Sequence, residues 1–77
     1  MRPEERAVFE VLRALRAELA KERRVPAYVV ARDQSLVEVA KKKPKSLAEL
    51  GTIGGFGPSR LDAYGDAFLK ALERQTG

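Results

Sequence analysis

Three glycines within four positions, Gly54, Gly55 and Gly57, stand between two stretches of helical apolar spacing. Glycine tolerates positive φ and close backbone approach, so the cluster suits a very tight helix–helix connection. Upstream, Ser46-Leu47-Ala48-Glu49 reads as a capping box that opens a short helix with Leu47, Leu50 and Ile53 turned inward. Downstream, Pro58 suits the first position of a last helix, whose buried face is Leu61, Tyr64, Gly65, Phe68, Leu69 and Leu72. The same glycines leave amides uncovered just before a helix start, a place that attracts anions such as phosphate. The turn is either a phosphate clamp or a packing device.

The rest of the chain supplies more helices. Val8, Val11, Leu12, Leu15 and Leu19 form one apolar stripe, which predicts a first helix over about 4–23. Val25-Pro26 ends it, because proline disfavours the helical conformation of the residue before it. Residues 25–31, VPAYVVA, have the composition of a strand but no partner strand, and read as an irregular or single-turn segment inserted into a bundle. Asp33 is the expected N-cap of a helix over about 34–42 with Leu36, Val39 and Ala40 inward; Lys43-Pro44 ends it. No alternation marks a sheet. The expected fold class is all-α, a single compact domain over 1–77 with its core in about 8–72, cut from a longer protein.

A chain of 77 residues buries only about 60–65% of its unfolded surface, too little for an enzyme core with a separate binding lobe. Cysteine and histidine are both absent, which excludes thiol nucleophiles, disulfides, the common zinc sites and imidazole acid–base chemistry. No catalytic residues, metal or cofactor are expected, and IGGFGPSR lacks the Gly-Lys-Ser/Thr ending of a phosphate loop. No signal peptide or membrane span is read, and the expected setting is cytoplasmic. The net charge is +4, and its distribution matters more than its size. Residues 13–32 hold Arg13, Arg16, Lys21, Arg23, Arg24 and Arg32 against Glu18 and Glu22; Lys41, Lys42, Lys43 and Lys45 follow. This contiguous basic stretch therefore favours a polyanion or an acidic protein surface.

Three groups are candidate binding features, each with a plainer alternative. Leu50, Ile53, Gly55, Gly57 and Arg60 follow the spacing of a helix-hairpin-helix unit, in which turn amides and a basic residue contact a duplex phosphate. The alternative is a sharp turn with Phe56 filling the gap. Tyr28 lies between Arg23-Arg24 and Arg32, and a ring flanked by cations suits single strands, the ring stacking a base and the cations holding phosphates. The alternative is a ring packed on the bundle that shows only its hydroxyl. The lysine run extends the positive surface or is a solvated helix end. Asp62 and Asp66 read as a solvated pair, since no third metal ligand is in view.

Taken together, LRALRAELAKERRVPAYVVARDQSL (12–36), PKSLAEL (44–50) and IGGFGPSRLDAYGDAFLKAL (53–72) resemble the helicase-and-RNase-D C-terminal domain, HRDC, of RecQ-type helicases and RNase D. The resemblance implies a five-helix bundle with a helix-hairpin-helix-like turn. It also implies a non-catalytic accessory domain, most like those of bacterial RecQ-type DNA helicases and less like that of an exoribonuclease. Such a domain contacts single-stranded or branched DNA and is expected to be monomeric in isolation. The tyrosine of the Val-Pro-x-Tyr segment, which contributes to single-strand binding in bacterial RecQ-type members, corresponds to Tyr28. The expected nucleic-acid contacts are thus Tyr28, Arg23, Arg24, Arg32, Lys41, Lys42, Lys43 and Lys45, with Gly55, Gly57 and Arg60 as secondary phosphate contacts. Some members dock on proteins instead, so the alternative is a regulatory module that docks on the parent's own helicase core or on a partner, with little direct DNA binding. Ala27 departs from the family's usual second proline, Ala31 from a common aromatic and Arg32 from a small polar residue.

Overall fold

A computed structural model describes residues 1–76. Helix α1 spans Pro3–Arg23, within a residue of the expected start. The Arg2 amide donates to Glu5 Oε1 at 3.0 Å, and Pro3 takes a first-turn position where no amide partner is needed. Glu4 and Glu5 in the first turn, with Lys21 and Arg23 in the last, oppose the helix dipole. The 21 residues of α1 span about 31 Å at 1.5 Å each, and the long dimension of the molecule is 31 Å. This helix sets the length of the bundle.

A Schellman-type turn closes α1: the Val25 amide reaches Ala20 O at 3.0 Å while Arg24 adopts φ 56°. Pro26 then starts α2, Ala27–Val30, which is the single apolar turn expected there. Helix α3 spans Asp33–Lys42, and here the expected cap is corrected. Arg32 holds the cap position without a side-chain bond, while the Asp33 carboxylate pairs with Arg16 Nη1 at 2.6 Å. A sheltered guanidinium binds a carboxylate more strongly than a helix amide does. Lys43, at φ 48°, closes α3 by donating its amide to Val39 O at 2.8 Å, and Pro44 follows.

Helix α4 spans Leu47–Leu50, with Ser46 Oγ accepting from the Glu49 amide at 3.1 Å. The other half of the capping box is displaced by a residue, Glu49 Oε1 accepting from the Lys45 amide at 3.4 Å. Leu47, expected inside, is 42% exposed. It starts a one-turn helix at the edge of the bundle, and only its tip rests in the space that Gly65 leaves by lacking a side chain.

Helix α5, Pro58–Arg60, a π-helical turn over Leu61–Gly65, and α6, Asp66–Thr76, follow one another without leaving right-handed helical backbone. They form one rod, the fifth helix of the bundle. The π turn was not expected from the spacing; the wider turn leaves two adjacent residues, Tyr64 and Gly65, both buried. The fold is all-α, and no strand occurs among the described residues. α1 packs on α2, α3 and α6, around Leu12, Val30, Leu36, Leu50 and Phe68, which are fully buried. Phe56 leaves the glycine turn to meet Phe68 edge to face, with ring centroids 5.5 Å apart at 84°. The turn therefore inserts a core side chain.

Candidate nucleic-acid interface

A helix of four residues has no stability of its own, so α2 is held from outside, by two arginines. Arg16, buried in α1, donates Nη1 to Ala31 O at 3.0 Å. Arg60 donates Nε to Val29 O at 3.1 Å and Nη2 to Tyr28 O at 3.1 Å. These carbonyls are ones that the end of a short helix leaves without internal partners. Arg16 belongs to the basic stretch 13–32, yet its side chain is only 11% exposed, so it adds little to a binding surface.

Arg60 also donates Nη1 to Gly55 O at 2.8 Å. From the other side, buried Ser35 donates Oγ to Gly54 O at 2.8 Å. Gly55 sits at φ 94°, and a Cβ there would collide with Ser35 Oγ; the turn requires glycine at this position. Gly54 and Gly57 meet no atom within 4 Å of an added Cβ. Arg60 and Gly55, read from the sequence as a separate feature, thus lie beside Tyr28, joined to it through one guanidinium.

Tyr28 is turned to solvent and is 62% exposed as a residue, more than Met1 or Leu47, the other exposed large apolar residues. Arg24 and Arg32 are exposed as well. Arg23 is exposed but directed: its guanidinium lies 5.1 Å from the centroid of the buried Tyr64 ring, a cation–π contact worth about 0.5–1 kcal/mol at such a site. Lys41, Lys42 and Lys45 are exposed and Lys43 is half-buried. They occupy the far end of α3 from Arg32 and Ser35. The 10 residues of that helix place the two ends about 14 Å apart at 1.5 Å per residue. The structure brings Tyr28, Gly55 and Arg60 together and sets the lysine run at the opposite end of α3.

Beside the lysines, Lys43, Pro44, Lys45, Leu69, Leu72 and Glu73 line a groove of about 660 Å³. Among the described residues no three His, Cys, Asp or Glu side chains gather as a metal set, and no helix is long and apolar enough to cross a membrane.

One sequence signal could have located Arg16: buried Val8, Leu12, Arg16 and Ala20 recur every four residues, so the arginine stands within the apolar stripe. Arg60 carries no such mark, since its carbonyl partners Val29 and Tyr28 lie 31 and 32 residues away.

The family model for the HRDC domain matches residues 5–72. The ATP-dependent DNA helicase RecQ of Bacillus subtilis is 41% identical over 66 residues, covering 86% of this chain and 11% of that protein. The ATP-dependent DNA helicase UvrD2 of Mycobacterium tuberculosis is 38% identical over 65 residues, covering 84% of this chain and 9% of that protein. The chain thus spans about a tenth of the length of the curated relatives it matches. Among solved structures, the third HRDC domain of D. radiodurans RecQ superposes with a TM-score of 0.88 at 38% identity, covering 91% of this chain and 92% of that one.

Proposed function

The chain belongs to the HRDC domain family, and from that premise we propose that it is a non-catalytic accessory domain of an ATP-dependent DNA helicase of RecQ type. In this reading it binds single-stranded or branched DNA weakly and tunes which DNA structures the parent enzyme works on, in cis with the helicase core and at the bacterial nucleoid. The observation that carries the reading is the exposed Tyr28 on a short helical turn whose carbonyls are held by Arg16 and Arg60. A base stacked on such a ring gains about 1–3 kcal/mol. Arg23, Arg24 and Arg32 contact nearby phosphates, and exposed Gly55 and Gly57 border the same surface. Lys41, Lys42, Lys43 and Lys45 extend the binding surface to the other end of α3.

The test is titration of labelled oligothymidylate at several salt concentrations. With three or four phosphates engaged, the log–log slope is about −2 to −3. Tyr28→Ala is expected to weaken binding about tenfold or more without altering helical circular dichroism. Equal affinity for the variant and the parent removes Tyr28 from the site.

A second reading has its own observation. The groove lined by Lys43, Lys45 and Glu73 together with Pro44, Leu69 and Leu72 suits a protein segment of mixed charge with an apolar anchor, such as a surface of the helicase core or of a partner. Undetectable DNA binding by the domain at low salt, together with altered DNA selectivity when it is deleted from the full enzyme, selects this docking role.

A further inference from the structure

We propose that Arg60 is a positioning residue that makes Tyr28 and the glycine turn one rigid surface, rather than a phosphate ligand. The proposal rests on the nucleic-acid reading for its functional meaning, but its structural content stands apart from DNA. A guanidinium has five N–H donors. Three of those in Arg60 are already directed at Val29 O, Tyr28 O and Gly55 O, at 3.1, 3.1 and 2.8 Å.

The edge formed by Nε and Nη2, which would grip a phosphate side-on, is occupied by the end of α2. Nη1 reaches instead into the turn at Gly55. The fork thus ties together two segments about thirty residues apart, neither of which is regular enough to hold itself in place. Lysine keeps the charge but not the planar fork, and a single ammonium cannot reproduce the three divergent bonds. Charge and geometry are therefore separable by experiment.

Arg60→Lys, Arg60→Ala and Tyr28→Ala are compared with the parent in oligothymidylate titrations over a range of salt. A positioning role makes Arg60→Lys bind about as poorly as Arg60→Ala, some two- to tenfold below the parent by about half the stacking contribution of Tyr28, with the parent's salt slope retained. Recovery of parent affinity by lysine overturns the proposal. So does a slope shallower by about 0.7 in Arg60→Ala, the signature of one lost phosphate contact.

A DNA-free arm keeps the two readings distinguishable. With Tyr64→Phe as background, Tyr28 is the sole tyrosine, and its fluorescence anisotropy is expected to fall when Arg60→Lys is added. Unchanged anisotropy overturns the positioning role even if DNA is never bound. Should Arg60→Lys fail to fold, the parent itself decides the matter by NMR. An Arg60 Nε–H held by Val29 O exchanges slowly with solvent, and exchange as fast as in free arginine sinks the clamp.

Discussion

Arg16 and Arg60 show how far a side chain's role can depart from its charge. Both add to the formal +4, yet each spends donors on backbone carbonyls of the segment that carries Tyr28. A charge-assisted bond from a sheltered arginine contributes about 1.5–3 kcal/mol. Arg16→Ala is accordingly expected to destabilise the domain by about 2–3 kcal/mol in urea denaturation, a large share for so small a core. Asp33→Asn should cost less than about 1 kcal/mol, because that carboxylate is 77% exposed; a larger loss would mean that the ion pair, not the Ala31 carbonyl, holds Arg16. The glycines separate in the same way. Gly55→Ala is expected to cost about 2–3 kcal/mol for its left-handed backbone and the Ser35 collision, whereas Gly54→Ala should stay within about 0.5 kcal/mol. The sequence displayed three glycines alike, since nothing local reveals which of them has Ser35 against it.

At the scale of elements, the long apolar periodicity and the short turns at α2 and α4 were readable, and the π turn was not. The stripe from Val8 to Leu19 marked α1 because a helix of that length overrides any single residue. VPAYVVA had the composition of a strand, and only its neighbours make it a helical turn. The π turn escaped for a related reason: Leu61, Tyr64 and Phe68 are spaced as in an ordinary helix, and the extra width arises from how the rod packs. The departure of Ala27 from the family's second proline also acquires a physical meaning. Ala27 is the first residue of α2, where an amide has no intrahelical partner, and Pro26 at φ −62°, ψ 151° already has the backbone that precedes a proline. Ala27→Pro is expected to raise stability by about 0.4–1 kcal/mol with DNA affinity equal or higher. A drop in melting temperature would show that the amide of Ala27 is in use.

Across the whole molecule, positive charge lies at both ends of α3 rather than in one patch. The separation of about 14 Å corresponds to about four nucleotides at 3.4 Å per nucleotide of stacked strand. Oligonucleotides shorter than that should engage one end alone, and the salt slope should steepen once a strand reaches both. A slope independent of length would assign binding to a single end. The fold class and the surface position of Tyr28 could be read from the chain; the spatial split between Tyr28 and the lysines could not, because it depends on the direction in which α3 leaves the turn. The two arginines that hold α2 come from opposite parts of the chain. Arg16 belongs to α1, whereas Arg60 belongs to the last rod and lies 32 residues beyond Tyr28. A chain interrupted before residue 60 therefore has Arg16 alone to hold the segment, and Tyr28 without the guanidinium that ties it to the glycine turn.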